Sequence, residues 1–433
     1  MTAPLERLLG LARWERAGMR LGLDRIEALL TALGRPEAGL RIVHIGGTNG
    51  KGSVAALTAA ILQAAGLRTG LYTSPHLLRV TERVRIDGRA LPEEVLARHA
   101  ARIEPALEAG AATFFEALTA VALGAFAEAG VEAAVLEVGL GGRFDATNVG
   151  QPLVSVVTRI DYDHQEFLGQ RLADIAGEKA GIIRGGTALS AAQAPEAMAV
   201  IEARCRDVGV PLLVESRELR VETLASDLAG HRVRLRGPGW AYDDVRLALP
   251  GLFQPANAVL AVGAVRVFAE ASGLPVTEAA VRAGCAEVRW PGRFQVIPGA
   301  AGRPTLVLDG AHNPGGATAL AASLRHHFAG RRLALVLGVS ADKDRAGILK
   351  ALAPLAARIY LAPADHPRAT PPKELADELP PIEADVVLAG SPGEALERAL
   401  AEPGIDVICV AGSLFLVADA LRWLGARGLV DAV

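Results

Sequence analysis

Apolar side chains change their spacing several times along this chain, and each change marks an element. Residues 1–40 carry them at helical intervals, with Leu5, Leu8, Leu9 and Ala12 followed by Leu23, Ile26, Leu29, Leu30 and Leu33, which predicts helices packed ahead of the first strand. The spacing then closes into an apolar run, Ile42, Val43 and Ile45, broken only by His44, and reopens to helical intervals at Val54, Leu57, Ile61, Leu62 and Ala65. A short strand is expected over Thr69 to Thr73, ended by Pro75, with helices over Pro92 to Glu108 and Phe114 to Ala129. Two further apolar runs, Ala133 to Val138 and Val154 to Ile160, end in polar clusters. Strands without alternation, separated by helices, predict a parallel sheet covered on both faces, and ligands gather beyond the carboxyl ends of such strands.

From Leu212 to Pro250 the texture turns to alternation, Val233 and Leu235 in one run and Val245, Leu247 and Leu249 in another around Asp243-Asp244, which predicts a small antiparallel excursion. The segment Leu249 to Ala258 enters a helix that runs to about Val267. A turn-rich connector with Pro298, Gly299, Gly302 and Pro304 follows, and strands and helices then alternate again to the end. The expected strands are Thr305 to Leu308, Leu333 to Val339, Arg358 to Leu361 and Val407 to Val410, with helices over Gly315 to His327 and Ala346 to Ala357 and a closing helix. The fold class is therefore α/β in two domains. Residues 1–296 are expected to form the first, with a mostly parallel sheet flanked by helices, and residues 297–433 a smaller Rossmann-like domain.

Composition narrows the setting. Hydrophobic residues at 51% and charged ones at 21% describe a globular protein rather than a disordered one. A net charge of −3 without any block of like charge argues against nucleic acid or an anionic membrane as the main partner. Cys205, Cys285 and Cys409 lie far apart with no C-x-x-C spacing, which argues against a disulfide framework or zinc site and suits buried thiols in a reducing compartment. The longest uncharged apolar stretches, Ala117 to Ala127 and Val407 to Ala418, are too short to span a bilayer, and the N-terminus, with Glu6, Arg7 and Arg13, lacks a signal-type apolar core. A cytoplasmic location is the expectation.

The candidate chemistry begins at Ile45 to Ser53, I-G-G-T-N-G-K-G-S, a glycine-rich turn between the first strand and a helix. Such a turn aims backbone N–H groups and a positive helix end at an anion, with Lys51 as a point charge and the Ser53 hydroxyl available to a metal. It departs from G-x-x-x-x-G-K-[ST], since Ile45 takes the first glycine's place and Gly52 separates Lys51 from Ser53. A tight turn without a ligand is the plainer alternative.

Nine motifs in order, spread over nearly the whole chain, resemble the folylpolyglutamate synthase and dihydrofolate synthase family, a branch of the Mur ligase-like ATP-dependent amide ligases. They are G-T-N-G-K-G-S (Gly47 to Ser53), T-S-P-H-L (Thr73 to Leu77), E-R (Glu82, Arg83), F-F-E (Phe114 to Glu116), E-V-G-L-G-G-R-F-D-A-T-N (Glu137 to Asn148), D-H-x-x-x-L-G (Asp163 to Gly169), E-K-A-G-I (Glu178 to Ile182), P-G-R-F-Q (Pro291 to Gln295) and D-G-A-H-N-P (Asp309 to Pro314). Two departures are Phe253, where the family often has His, and Gln165, where Thr is frequent.

The resemblance implies a Mur ligase-like phosphate-loop ATPase domain that binds ATP and folate over residues 1–296 and a glutamate ligase domain over residues 297–433, in which ATP phosphorylates a carboxylate and the amine of L-glutamate attacks the acyl phosphate. It implies an ATP site of Gly47, Thr48, Asn49, Gly50, Lys51, Gly52, Ser53, Asn257, Arg293 and Asp309, and two magnesium ions held through Ser53, Ser74, Glu137 and His164. Lys51, Lys179, His312 and Asp309 are the implied catalytic group, with Lys179 carbamylated, and Arg83, Phe115 and Asp145 the implied folate and pterin group. A monovalent cation and a monomeric state belong to the same expectation. Plainer readings stand beside these: a Lys179–Glu178 ion pair, a capping or surface role for His312, and a core role for Phe115. At the level of function, the leading reading is a ligase for both dihydropteroate and reduced folates. A folylpolyglutamate synthase alone, a Mur-type cell-wall ligase and a phosphate-loop binding module without ligase chemistry are the alternatives.

Overall fold

The structure, a computed structural model, describes residues 3–11, 22–110, 112–299 and 302–430. Ala12 and Arg13 lie outside the described residues. The first sheet is built from β1 (Ile42–Gly46), β2 (Thr69–Tyr72), β3 (Val84–Ile86), β4 (Arg89–Ala90), β5 (Ala133–Glu137), β6 (Pro152–Val157), β7 (Thr187–Ser190) and β8 (Leu212–Val214), in the order β4-β3-β2-β5-β1-β6-β7-β8. The six strands from β2 to β8 run parallel, and the β3–β4 edge is antiparallel. Strand geometry sends alternate residues to opposite faces. Val43 and Ile45 meet the helices Lys51–Ala64 and Gln254–Ser272, while Ile42 meets Asp24–Ala32, Glu93–Gly110 and Phe114–Glu128. His44, the polar break in this run, is buried among the latter and satisfied by Thr147 Oγ1 at 2.9 Å. Burial, with Arg184 adding to it, lowers its pKa to about 3 and keeps the ring neutral.

Register fixes where chemistry can gather. Ile45 pairs with Glu137 and Gly46 with Val157, so the glycine loop, the Glu137 carboxylate and the turn after β6 leave the sheet at one level. The strand expected to run to Ile160 stops at Val157, because Arg159 turns its carbonyl to the loop N–H groups of Thr48 and Asn49 at 2.9 and 3.1 Å. β7 gives no apolar run in the sequence and was not anticipated.

The antiparallel excursion has three strands, β9 (Arg220–Asp227), β10 (Gly230–Gly237) and β11 (Trp240–Leu247). Val233, Leu235, Val245 and Leu247 are buried against the first core. The β10–β11 turn is at Pro238-Gly239; Asp243 and Asp244 lie inside β11 as a bulge, Asp244 with φ 54°, where the register slips between Val233 and Leu235.

The second sheet comprises β12 (Gln295–Ile297), β13 (Thr305–Leu308), β14 (Leu333–Leu337), β15 (Arg358–Leu361), β16 (Asp385–Leu388) and β17 (Val407–Ala411), ordered β12-β13-β17-β14-β15-β16 and parallel except for β12. A boundary after residue 296 would cut β12, which hydrogen-bonds to β13, so we propose that the second unit begins before Gln295. The helix expected to reach Ala357 ends at Leu352 and tightens into a single 3₁₀ turn over Ala353–Leu355, where Pro354 denies it a donor. Among the described residues no helix is long and apolar enough to cross a membrane, and the three cysteines are free and buried.

Candidate active site

The loop after β1 turns at Gly47, whose φ of 129° and surroundings admit only glycine: a Cβ there would stand 2.1 Å from Thr158 Oγ1 and 2.9 Å from its backbone N. Gly47→Ala should therefore displace the loop, and with a strained backbone costing ~1–3 kcal/mol, ADP binding measured by calorimetry should weaken about tenfold. Helix Lys51–Ala64 starts directly after Gly50, so its free N–H groups and positive end point out of the sheet. Lys51 folds back, its Nζ donating to the carbonyls of Gly47 and Thr48 at 3.2 and 3.1 Å. Behind the loop, Gln254 Nε2 donates to Ser53 Oγ at 3.2 Å and Asn257 Nδ2 to Gln254 Oε1 at 3.0 Å.

Two cavities open beyond the strand ends. The first, about 860 Å³, is lined by Gly47 to Ser53 together with Glu137, Lys179, Asn257, Arg293 and Asp309. The second, about 900 Å³, contains Arg83, Phe115 and Asp145. Ser74, Pro75, Gly139 to Gly141, His164, His312 and Leu414 line both. All residues expected at the site thus come together, sorted into a loop side and a second side that share one wall.

Charges in the first cavity are arranged in opposition. Glu137, at the end of β5 and only 4% exposed, accepts the Ser74 N–H at 3.0 Å. Burial pushes its carboxyl above the ordinary range, with Lys51 the main opposing influence. Burial likewise lowers Lys51 and Lys179; the Lys179 amine falls to about 7, with Lys51 pushing it down further and Asp163 pulling it back. Lys179 Nζ donates to Gly47 O at 3.0 Å, not to Glu178, which faces Arg143 at 3.8 Å. Asp309 accepts the N–H groups of Phe294 and Ala311 at 2.6 and 2.8 Å, one on each oxygen, beside the half-buried Arg293. It braces the turn that carries His312, whose Nδ1 meets Gly310 O at 2.8 Å.

On the second side, Arg83 Nε donates to His76 Nδ1 at 2.9 Å and its guanidinium lies 5.2 Å from the Phe114 ring centre. Phe115 packs near Tyr72, ring centres 5.9 Å apart, and against the core while also lining the cavity. Asp145 staples its own loop, accepting from Leu140 N and Thr147 N at 2.9 Å each. Glu116 caps helix Phe114–Glu128 in a box with Thr113 and pairs with Arg25 at 2.7 Å.

Sequence reasoning missed Gln254, Asn313 and Lys343 and gave Asp163 no role of its own. Asp163 accepts from Lys343 Nζ at 2.7 Å and from Asn313 Nδ2 at 3.1 Å, with His312 Nε2 at 3.6 Å. Burial opposes its ionisation, yet His312, His164 and Lys343 together hold its carboxyl well below the ordinary range. The available signal was position: Lys343 follows the end of β14, as the other polar clusters follow their strands.

A metal here would meet one buried carboxylate, two hydroxyls and an imidazole. Among the described residues no three His, Cys, Asp or Glu side chains form a metal cluster. That sparse, oxygen-rich set fits magnesium, which keeps water and phosphate in its shell, and a cation beside Glu137 would offset the cost of its buried charge.

Comparison with known proteins places these features. Residues 45–265 match the Mur ligase middle domain and residues 292–414 the Mur ligase glutamate ligase domain. The dihydrofolate synthase/folylpolyglutamate synthase of Mycobacterium tuberculosis is 41% identical over 386 residues, 84% of this chain and 78% of that protein; the Bacillus subtilis protein of the same name is 33% identical over 418 residues, 94% and 96%. Among solved structures, Escherichia coli FolC in complex with DHPP and ADP superposes with a TM-score of 0.88 at 33% identity, covering 99% of both chains. The Mycobacterium tuberculosis folylpolyglutamate synthase complexed with ADP and AMPPCP gives 0.87 at 37%, covering 98% of this chain and 99% of that one. With both domain types in order, and relatives this similar over most of its length, the chain belongs to the dihydrofolate synthase/folylpolyglutamate synthase family of ATP-dependent amide ligases.

Proposed function

We propose that this ligase adds L-glutamate both to dihydropteroate and to reduced folates, with ATP in the loop-side cavity and the carboxylate acceptor in the other. The observation that carries this reading is the wall the two cavities share, at Ser74, His164 and His312. An acceptor whose pterin ring lies toward Phe115 and Arg83 would bring its carboxylate to that wall, facing the γ-phosphorus of a nucleotide held by Gly47 to Ser53 and Lys51. The carboxylate oxygen attacks phosphorus, ADP leaves, and the amine of glutamate then displaces phosphate from the acyl carbon, losing a proton as the amide forms. Ser53, Ser74, Glu137 and His164 would hold two magnesium ions, which would supply positive charge to the phosphate oxygens of the nucleotide. Lys51 adds a fixed cation to the same oxygens, Arg293 and His312 approach from the second unit, and a carbamylated Lys179 supplies a carboxylate where a bare ammonium would repel metal. We further propose a cytoplasmic monomer, with room for a monovalent cation.

One assay tests acceptor choice: ADP release at fixed glutamate, with dihydropteroate or tetrahydrofolate as acceptor. Stimulation by both is the expected result. Stimulation by tetrahydrofolate alone would reduce the protein to a folylpolyglutamate synthase, and stimulation by neither would defeat the proposed substrates.

A further inference from the structure

We propose that Asp163 is a positioning residue that latches the second unit over the nucleotide, with Asn313 relaying the state of the glycine loop to it. The Asp163 carboxylate, its side chain 7% exposed, belongs to the first unit, and apart from the adjacent His164 N–H at 2.9 Å the donors it meets come from the second: Lys343 Nζ at 2.7 Å, Asn313 Nδ2 at 3.1 Å and His312 Nε2 at 3.6 Å. Lys343, 8% exposed, also lies 3.0 Å from His164 Nε2. A buried charge so paired is costly to strip, which makes the contact decisive for how the units dock.

Asn313 is the second half of the argument. Its amide exchanges hydrogen bonds with Asn49 in both directions, at 3.0 and 3.1 Å, and Asn49 belongs to the loop whose backbone surrounds the phosphate position. One side chain therefore touches the phosphate loop and the latch at once. Its Oδ1 also caps helix Pro314–His327 by accepting from Gly316 N at 2.8 Å. The far end of that helix is fixed to the first unit without charge: His327 Nε2 meets Pro250 O at 3.0 Å, Leu252 N donates to Ser323 Oγ at 3.1 Å, and Phe253 packs into the second unit's core. Charge at one end and apolar packing at the other describe a latch and a pivot. Opening at Asp163 leaves the pivot, and hence the fold, in place.

The proposal rests on the ligase reading only for the need to close during turnover. Its primary readout is small-angle scattering with magnesium and ADP, without folate or glutamate, so wrong acceptors in the assay above would not affect it. Asn313→Asp isolates the latch, because aspartate caps a helix as well as asparagine but cannot donate to Asn49 and sets a negative charge beside Asp163. Asp163→Asn keeps shape and removes the charge. Expected for both variants is a radius of gyration that stays large on adding ADP while the parent contracts, and a kcat about 30-fold lower with KM for ATP within about threefold, in line with the loss of one partner from a buried charge pair. Asn313→Asp should melt with the parent. Contraction equal to the parent's in both variants, or kcat within twofold of it, would overturn the latch.

Discussion

Lys179→Ala should lower ligase turnover by about three orders of magnitude, the scale of losing a preorganised charge at a phosphoryl-transfer centre. Short carboxylic acids such as acetate should restore part of it. Lys179 lies on helix Leu172–Ala180, 4% exposed, with its amine 3.0 Å from Gly47 O. An ordinary protonated lysine has no lone pair for carbon dioxide. Burial, reinforced by Lys51, brings this amine to about 7, so a large share is neutral in a neutral solution. Carbamylation consumes that neutral form and releases a proton, giving a carboxylate in a cavity where Lys51 and Arg293 provide positive charge. Its occupancy should climb as pH rises through about 7, read as a carbamate carbon signal in ¹³C-bicarbonate NMR. The unmodified amine has the opposite account with stability. Between about pH 7 and the usual lysine value, the unfolded chain holds a proton that the folded chain lacks, so the bare amine costs stability there and stability rises with pH across the window. Full activity of the alanine variant, or no carbamate signal at pH 8, would remove Lys179 from the chemistry.

Much of this site was legible because its pieces are local. A glycine loop between an apolar run and a helix, and a carboxylate at the end of an all-apolar strand, can be read from a few residues each, and parallel topology carries both to the same edge. Long-range pairing is what the sequence does not display. Lys343 and Asp163 are 180 residues apart, and nothing near either names the other. A motif also cannot separate ligand contact from service to the backbone: Asp145 closes its own loop while lining the second cavity, and Glu116 caps a helix. The missed strand β16 is a different case. Its apolar run, Val386 to Ala389, is only four residues long, and it lies at a sheet edge with Val386 and Leu388 exposed.

Glu137→Gln should be comparably damaging, and for a reason separable from folding. The amide oxygen of glutamine can still accept the Ser74 N–H that Glu137 takes at 3.0 Å, and the volume is unchanged, so the turn after β2 should keep its shape. What is lost is the negative charge. In the parent, burial raises the carboxyl's pKa and Lys51 is the largest influence holding it ionised. Removing that charge leaves Lys51 without this counterion and weakens any cation shared between the cavity and the phosphates. A Lewis-acid contribution of several kcal/mol makes a loss of about 10³ in kcat the expected scale, with the magnesium concentration for half-maximal activity rising at least tenfold. Ser74→Ala offers the contrast. The Ser74–Glu137 hydrogen bond uses the backbone N–H, so alanine preserves it and removes only a hydroxyl, and the loss should be smaller than for Glu137→Gln. An unchanged melting temperature with a displaced magnesium curve identifies Glu137 as a metal-side carboxylate. A lowered melting temperature with an unmoved magnesium curve would make it a brace for the Ser74 turn and nothing more.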